Sequence, residues 1–165
     1  MNQVVVAEAL QALAAANEAY YRLVLLVGGP NSGKTAVLRA VADTLGVVSL
    51  NTGLALSERL LELTARQRAL RLPEIFTDTL ASGEQPVVLD NTEILFDRSL
   101  QQDPLRLLQG IARNRQVLAC WNGRIENGKL LYAEPGHSEY RQYPVEDFFV
   151  VGMNACSGAG RGYGA

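Results

Sequence analysis

The chain is poor in the residues that staple or metallate small domains. Its 165 residues include two cysteines, Cys120 and Cys156, and one histidine, His137. Two thiols far apart in sequence exclude a disulfide scaffold. One histidine with two cysteines cannot furnish a four-ligand Cys/His zinc site. So few thiols suit a reducing, cytoplasmic location. Charge is also scarce: 19% of residues are charged, with Lys+Arg 15 against Asp+Glu 17 and a formal net charge of −2. A strongly basic nucleic-acid module is excluded, although a local basic patch is not. No long apolar run is present. The stretch VVVAEALQALAAA is interrupted by Glu8 and Gln11, and no basic segment precedes it. Neither a membrane span nor a signal peptide is expected. There is no internal repeat.

What is present is enough apolar material, 48%, to bury one core, at a length suited to one domain. Residues 3–20 read as an amphipathic helix with Val6, Leu10, Leu13 and Asn17 at helical spacing. Five short apolar runs read as strands: 22–27, 47–51, 86–91, 116–121 and 148–153. Helices are expected at 34–45, ending near Gly46, over about 57–81 with a break or kink at Pro73, and from Asp103-Pro104 to Arg113. Asn127-Gly128 marks a hairpin within 122–146. Residues 153–165 form a glycine-rich tail expected to be disordered. Alternating strands and helices predict an α/β fold with a mostly parallel five-stranded sheet between two helical layers.

The residues with the clearest chemistry are Gly28-Gly29-Pro30-Asn31-Ser32-Gly33-Lys34-Thr35, a full G-x-x-x-x-G-K-[ST] match between a strand and a helix. Glycines let the backbone turn its N–H groups onto phosphate oxygens, and the helix start adds its positive end. Lys34 would reach the β/γ-phosphates and Thr35 would ligate Mg²⁺. The nucleotide-binding set is Gly28, Gly29, Pro30, Asn31, Ser32, Gly33, Lys34, Thr35 and Ala36. Val87-Val88-Leu89-Asp90 is an apolar strand ending in an acid, a Walker B pattern, and makes Asp90 the second metal residue.

The roles of other residues stay open. Asn91 follows Asp90 where many ATPases carry a water-polarising Glu, and an amide cannot take a proton. Glu93 could substitute, or could be a solvated turn residue. Asn122, after the fourth strand, could sense the γ-phosphate or simply turn the chain. Placing it between loop and acid predicts the strand order 5-1-4-3-2. Arg113 and Arg115 could be trans-acting fingers or surface pairs. Arg66, Arg68 and Arg71 could meet nucleic acid or an acidic partner, or could be a solvated face. His137, with no Cys or Ser partner, reads as structural.

The blocks LVLLVGGPNSGKT, LNTGLALSERLLEL, VVLDNTEILFD, DPLRLLQGIARNRQVLACWNG and LLYAEPGHSEYR resemble the small P-loop ATPases of type III BREX phage-defence systems, the BrxF family. They span nearly everything from about Tyr20 to Phe149. The resemblance implies a P-loop NTPase fold of the AAA-like (ASCE) class over residues 1–152, binding ATP and Mg²⁺. It implies a bacterial system restricting phage DNA, with other BREX subunits, including a large AAA-type ATPase, as partners in a homo- or hetero-oligomer. The P-loop role then falls on Gly28, Gly33, Lys34 and Thr35, and the Walker B role on Asp90. Unlike the wider AAA-type pattern, no C-terminal helical lid follows Asn122. Three readings compete: an ATPase, a nucleotide-gated assembly subunit with little hydrolysis, and a small-molecule kinase. The kinase ranks last, because no arginine-rich lid is evident and the second strand ends in Asn51-Thr52. No N-K-x-D guanine motif occurs, so ATP is preferred to GTP.

Overall fold

A computed structural model describes residues 2–133 and 136–153. Its central strand is β1 (Leu23–Gly28), whose residues Leu23 to Val27 are all buried. A strand apolar on both faces belongs mid-sheet with helices above and below. In chain order the other elements are α1 (Asn2–Ala16), α2 (Lys34–Leu45), β2 (Leu50–Asn51), α3 (Thr52–Leu60), α4 (Ala65–Thr79), β3 (Val87–Asp90), α5 (Pro104–Ala112), β4 (Val117–Glu126), β5 (Lys129–Tyr132), β6 (Arg141–Pro144) and β7 (Phe149–Gly152). Two short 3-10 turns, Thr92–Phe96 and Arg98–Leu100, lie between β3 and α5.

The parallel strands run β2-β3-β4-β1-β7, the order expected from placing Asn122 between loop and acid. α1 and α2 pack on one face and α3, α4 and α5 on the other. The sheet has seven strands rather than five. β4 continues to Glu126, turns back at Asn127-Gly128, both at positive φ, and β5 and β6 add an antiparallel extension. Among the described residues no helix is long and apolar enough to cross a membrane. From residue 154 onward the glycine-rich tail, with Cys156, lies outside the described residues.

Several expected boundaries move. α1 stops at Ala16, and its inward face is Val5, Ala9, Ala12, Leu13 and Ala16, which shares only Leu13 with the expected Val6–Leu10–Leu13–Asn17 stripe. Small alanines let the helix lie close to α2 and the sheet, and leave Val6 and Leu10 at the margin. The helix expected over 57–81 is two helices, and the break falls at 61–64, not at Pro73. Thr64 and Gln67 form a reciprocal capping box that starts α4. Pro73 sits inside α4 and leaves Ala69 O without its helical donor. Gln102 Nε2 donates to that oxygen instead, at 2.8 Å. Of the run 47–51, only Leu50–Asn51 pairs with β3.

The antiparallel extension crosses β4 tightly at Gly123. A Cβ there would overlap Leu131 O, and Trp121 Nε1 already donates to that same oxygen at 3.1 Å. Gly123→Ala is expected to part β4 from β5, costing about 3 kcal/mol and lowering Tm by roughly 6–12 °C. A thermal melt within about 2 °C of wild type would show that the crossing has slack.

Candidate functional site

The glycine-rich loop follows β1, Asp90 ends the paired part of β3, and Asn122 lies on β4 directly opposite Gly28. All three therefore meet at the carboxyl ends of the parallel strands, where open α/β sheets bind ligands. A cavity of about 530 Å³ opens there. Pro30 to Thr35 line one side, and Asp90, Asn91, Glu93, Cys120 and Asn122 the other. Gly28 and Gly29 form the base of the loop, and Ala36 is exposed on the first turn of α2.

Gly33 makes the turn into α2. Its φ of 93° is left-handed, a conformation that costs glycine little and a side-chain residue more. No side chain caps α2. Its first amides therefore lack intrahelical partners and face the loop with the positive end of the helix dipole.

Lys34 is buried, with 7% of its surface exposed. Its Nζ donates to Gly28 O at 2.9 Å, Gly29 O at 2.6 Å and Ser32 Oγ at 3.3 Å. Ser32 Oγ in turn donates to Gly29 O at 2.7 Å. Burial lowers the Lys34 ammonium pKa below its usual value, against the opposing pull of Glu93 and Asp90. Thr35 Oγ1 donates to Asp90 Oδ2 at 2.8 Å, joining residues 55 positions apart. Two hard oxygen donors, a hydroxyl and a carboxylate, thus stand side by side.

No family model matches the chain, and no curated protein matches it. What the site can do follows from its own geometry.

Asn91 takes a left-handed conformation, φ 53°, and its N–H donates to Asp90 Oδ1 at 2.8 Å. This ends β3 one residue earlier than expected and starts the Thr92–Phe96 turn, which sequence periodicity does not signal. Glu93 is half-buried on that turn. Burial raises its carboxyl pKa above the ordinary range, and the nearby Asp90 carboxylate adds to the rise. Cys120 and Thr92 are the residues that sequence reasoning misses. The Cys120 thiol lines the cavity, and burial pushes its pKa up to about 11. Thr92 is 1% exposed, and its hydroxyl donates to Cys120 O at 2.8 Å. Alternation along the fourth strand could have placed Cys120, but no local signal marks Thr92.

Other candidates fall elsewhere. Arg115 is buried and donates to Gln85 O and Ala81 O, both at 2.7 Å, which removes it as a finger. Arg113 lies 4.5 Å over the Tyr20 ring. Both arginines precede β4, at the end of the sheet away from the cavity. Arg68 donates to Leu60 O and Leu63 O, binding the end of α3 rather than presenting its charge outward. Arg71 pairs with Glu74 at 3.1 Å. His137 Nδ1 accepts from Glu139 N–H at 3.0 Å and holds its own turn. A larger cavity, about 800 Å³, lies between α4 and α5 beside Phe76, Leu80, Ile111 and Arg115, and contains none of the nucleotide-site candidates.

Proposed function

We propose that the chain is an ATP-binding P-loop protein that works with Mg²⁺ as an ATPase subunit of a BREX-type phage-defence system. The observation that carries the nucleotide reading is the Thr35–Asp90 hydrogen bond at the uncapped start of α2, beside the buried Lys34. Among the described residues no group of three or more His, Cys, Asp or Glu side chains could hold a metal by itself. A hydroxyl and one carboxylate fit Mg²⁺, which is held by few protein ligands and completes its shell with phosphate oxygens and water. When bound it would neutralise phosphate charge. The defence-system assignment rests on the sequence blocks that resemble the BrxF family.

In this reading Lys34 transfers its N–H donors from the Gly28 and Gly29 carbonyls to phosphate oxygens. The α2 amides bind the same anion. Asn122 lies across from Gly28, suited to a polar contact with the terminal phosphate. Glu93 accepts the proton of the water that attacks the γ-phosphorus, and the bond to the ADP oxygen breaks. Glu93 and Asn91 both line the cavity, but only Glu93 can take a proton, since an amide cannot, and burial raises its pKa above the ordinary carboxylate range, which suits a general base. The second reading, an assembly subunit that binds nucleotide and turns over little, draws on Asn91 standing directly after Asp90.

Calorimetry with Mg-ATP tests the binding step, and phosphate release with and without DNA and the large AAA-type ATPase tests turnover. The expected result is saturable Mg-dependent binding, with GTP a weaker competitor. Absence of Mg-ATP binding by the full chain, alone and with that partner, would remove the nucleotide reading. Binding without release in any mixture would leave the assembly subunit.

A further inference from the structure

We propose that Thr92 is a positioning residue of this site: its hydroxyl anchors the Thr92–Phe96 turn to β4 and so sets where Glu93 stands beside Lys34 and Asp90. The inference rests on the ATPase reading above. β3 and β4 pair as far as Leu89 opposite Ala119. Asn91 then turns the chain into left-handed conformation, away from the sheet. The next carbonyl along β4, Cys120 O, receives the Thr92 hydroxyl at 2.8 Å, with Cys120 Sγ at 3.6 Å. A side chain thus continues the contact that the backbone abandons. The other end of the turn is held by rings. Phe96 stacks on Tyr132 with centroids 3.5 Å apart and meets Trp121 edge-on at 5.0 Å. Glu93 follows Thr92 directly, so fixing Thr92 on β4 fixes the residue that carries the carboxylate. A 3-10 turn of five residues has few hydrogen bonds of its own to hold that position.

Thr92→Val keeps the shape of the side chain and removes the donor, whereas Thr92→Ser keeps the donor and removes a methyl. If the hydroxyl positions Glu93, Thr92→Val should lower kcat about 10- to 100-fold, the scale of an ångström's misplacement, with Mg-ATP affinity within about threefold of wild type. Thr92→Ser should restore kcat to within about threefold of wild type. A readout independent of turnover is alkylation of Cys120 in a Cys156→Ser background. Thr92→Val should raise that rate about tenfold or more, and Thr92→Ser should leave it near wild type. Wild-type kcat in Thr92→Val, equal losses in Val and Ser, or unchanged alkylation overturns the proposal. A wild-type chain that binds no Mg-ATP refutes the ATPase reading instead, and the alkylation rates alone then decide whether the hydroxyl holds the turn.

Discussion

Lys34→Met is expected to weaken Mg-ATP binding by about two orders of magnitude. The substitution keeps the buried aliphatic stem and deletes the ammonium that the proposed nucleotide reading turns onto phosphate. Truncating one member of a desolvated, hydrogen-bonded charge pair costs about 3 kcal/mol, and each ~1.4 kcal/mol is a tenfold change in affinity. The same ammonium holds Gly28 O and Gly29 O, so the loop also loses order. About 1 kcal/mol of stability should go with it, a Tm decrease of roughly 2–4 °C. The fold should persist, because β1 and α2 are held by their own buried faces. Because burial lowers the Lys34 pKa, the charged form is lost at a lower pH than for an exposed lysine. Affinity should therefore decline as pH rises through that lowered value, and the decline should be absent in Lys34→Met. Equal affinities by calorimetry would refute the role of Lys34.

Glu93→Gln is expected to slow hydrolysis by ~10²–10⁴-fold while leaving Mg-ATP affinity near wild type or slightly higher. The amide can still orient water but cannot accept its proton. Positioning and charge stabilisation, the larger contributions in phosphoryl transfer, remain with Lys34 and the loop amides. The acid limb of kcat should lie above the ordinary glutamate value, about 4.3, since burial raises the Glu93 pKa. Protonation below that raised value removes the base, so turnover should fall as pH falls. Stability runs the opposite way. A group that binds its proton more tightly when folded contributes stability that is lost as pH rises from the ordinary value through the raised one. Glu93→Gln should consequently raise Tm at neutral pH. Asn91→Glu offers a second arm, in which faster turnover would mean that the position after Asp90 is vacant and usable. Turnover unaffected by Glu93→Gln would require a different base.

Residues that must be local to one another are legible in the amino-acid order. The glycine loop, Lys34 and Thr35 are contiguous, and their strand and helix follow from an apolar run and a left-handed glycine. The order of the five parallel strands is legible too. Short buried runs joined by helices leave few topologies, and a polar residue between loop and acid selects one of them. What depends on groups distant in the chain emerges only in three dimensions. Thr35 meets Asp90 across 55 positions, which no local pattern encodes. Pro73 does not end α4, because Gln102, from outside the helix, supplies a donor to Ala69 O. Arg68 reads in sequence as a partner contact or a solvated face and Arg115 as a finger or a surface pair, yet their donors go to backbone carbonyls at the ends of neighbouring elements. The largest difference lies after Asp90. Whether Glu93 faces solvent or the cavity turns on one left-handed residue, one hydroxyl reaching across 28 positions to Cys120, and a ring stack between Phe96 and Tyr132. Hydrophobic periodicity reports burial along a single element. It carries no information about a turn whose direction is set by bonds to other strands.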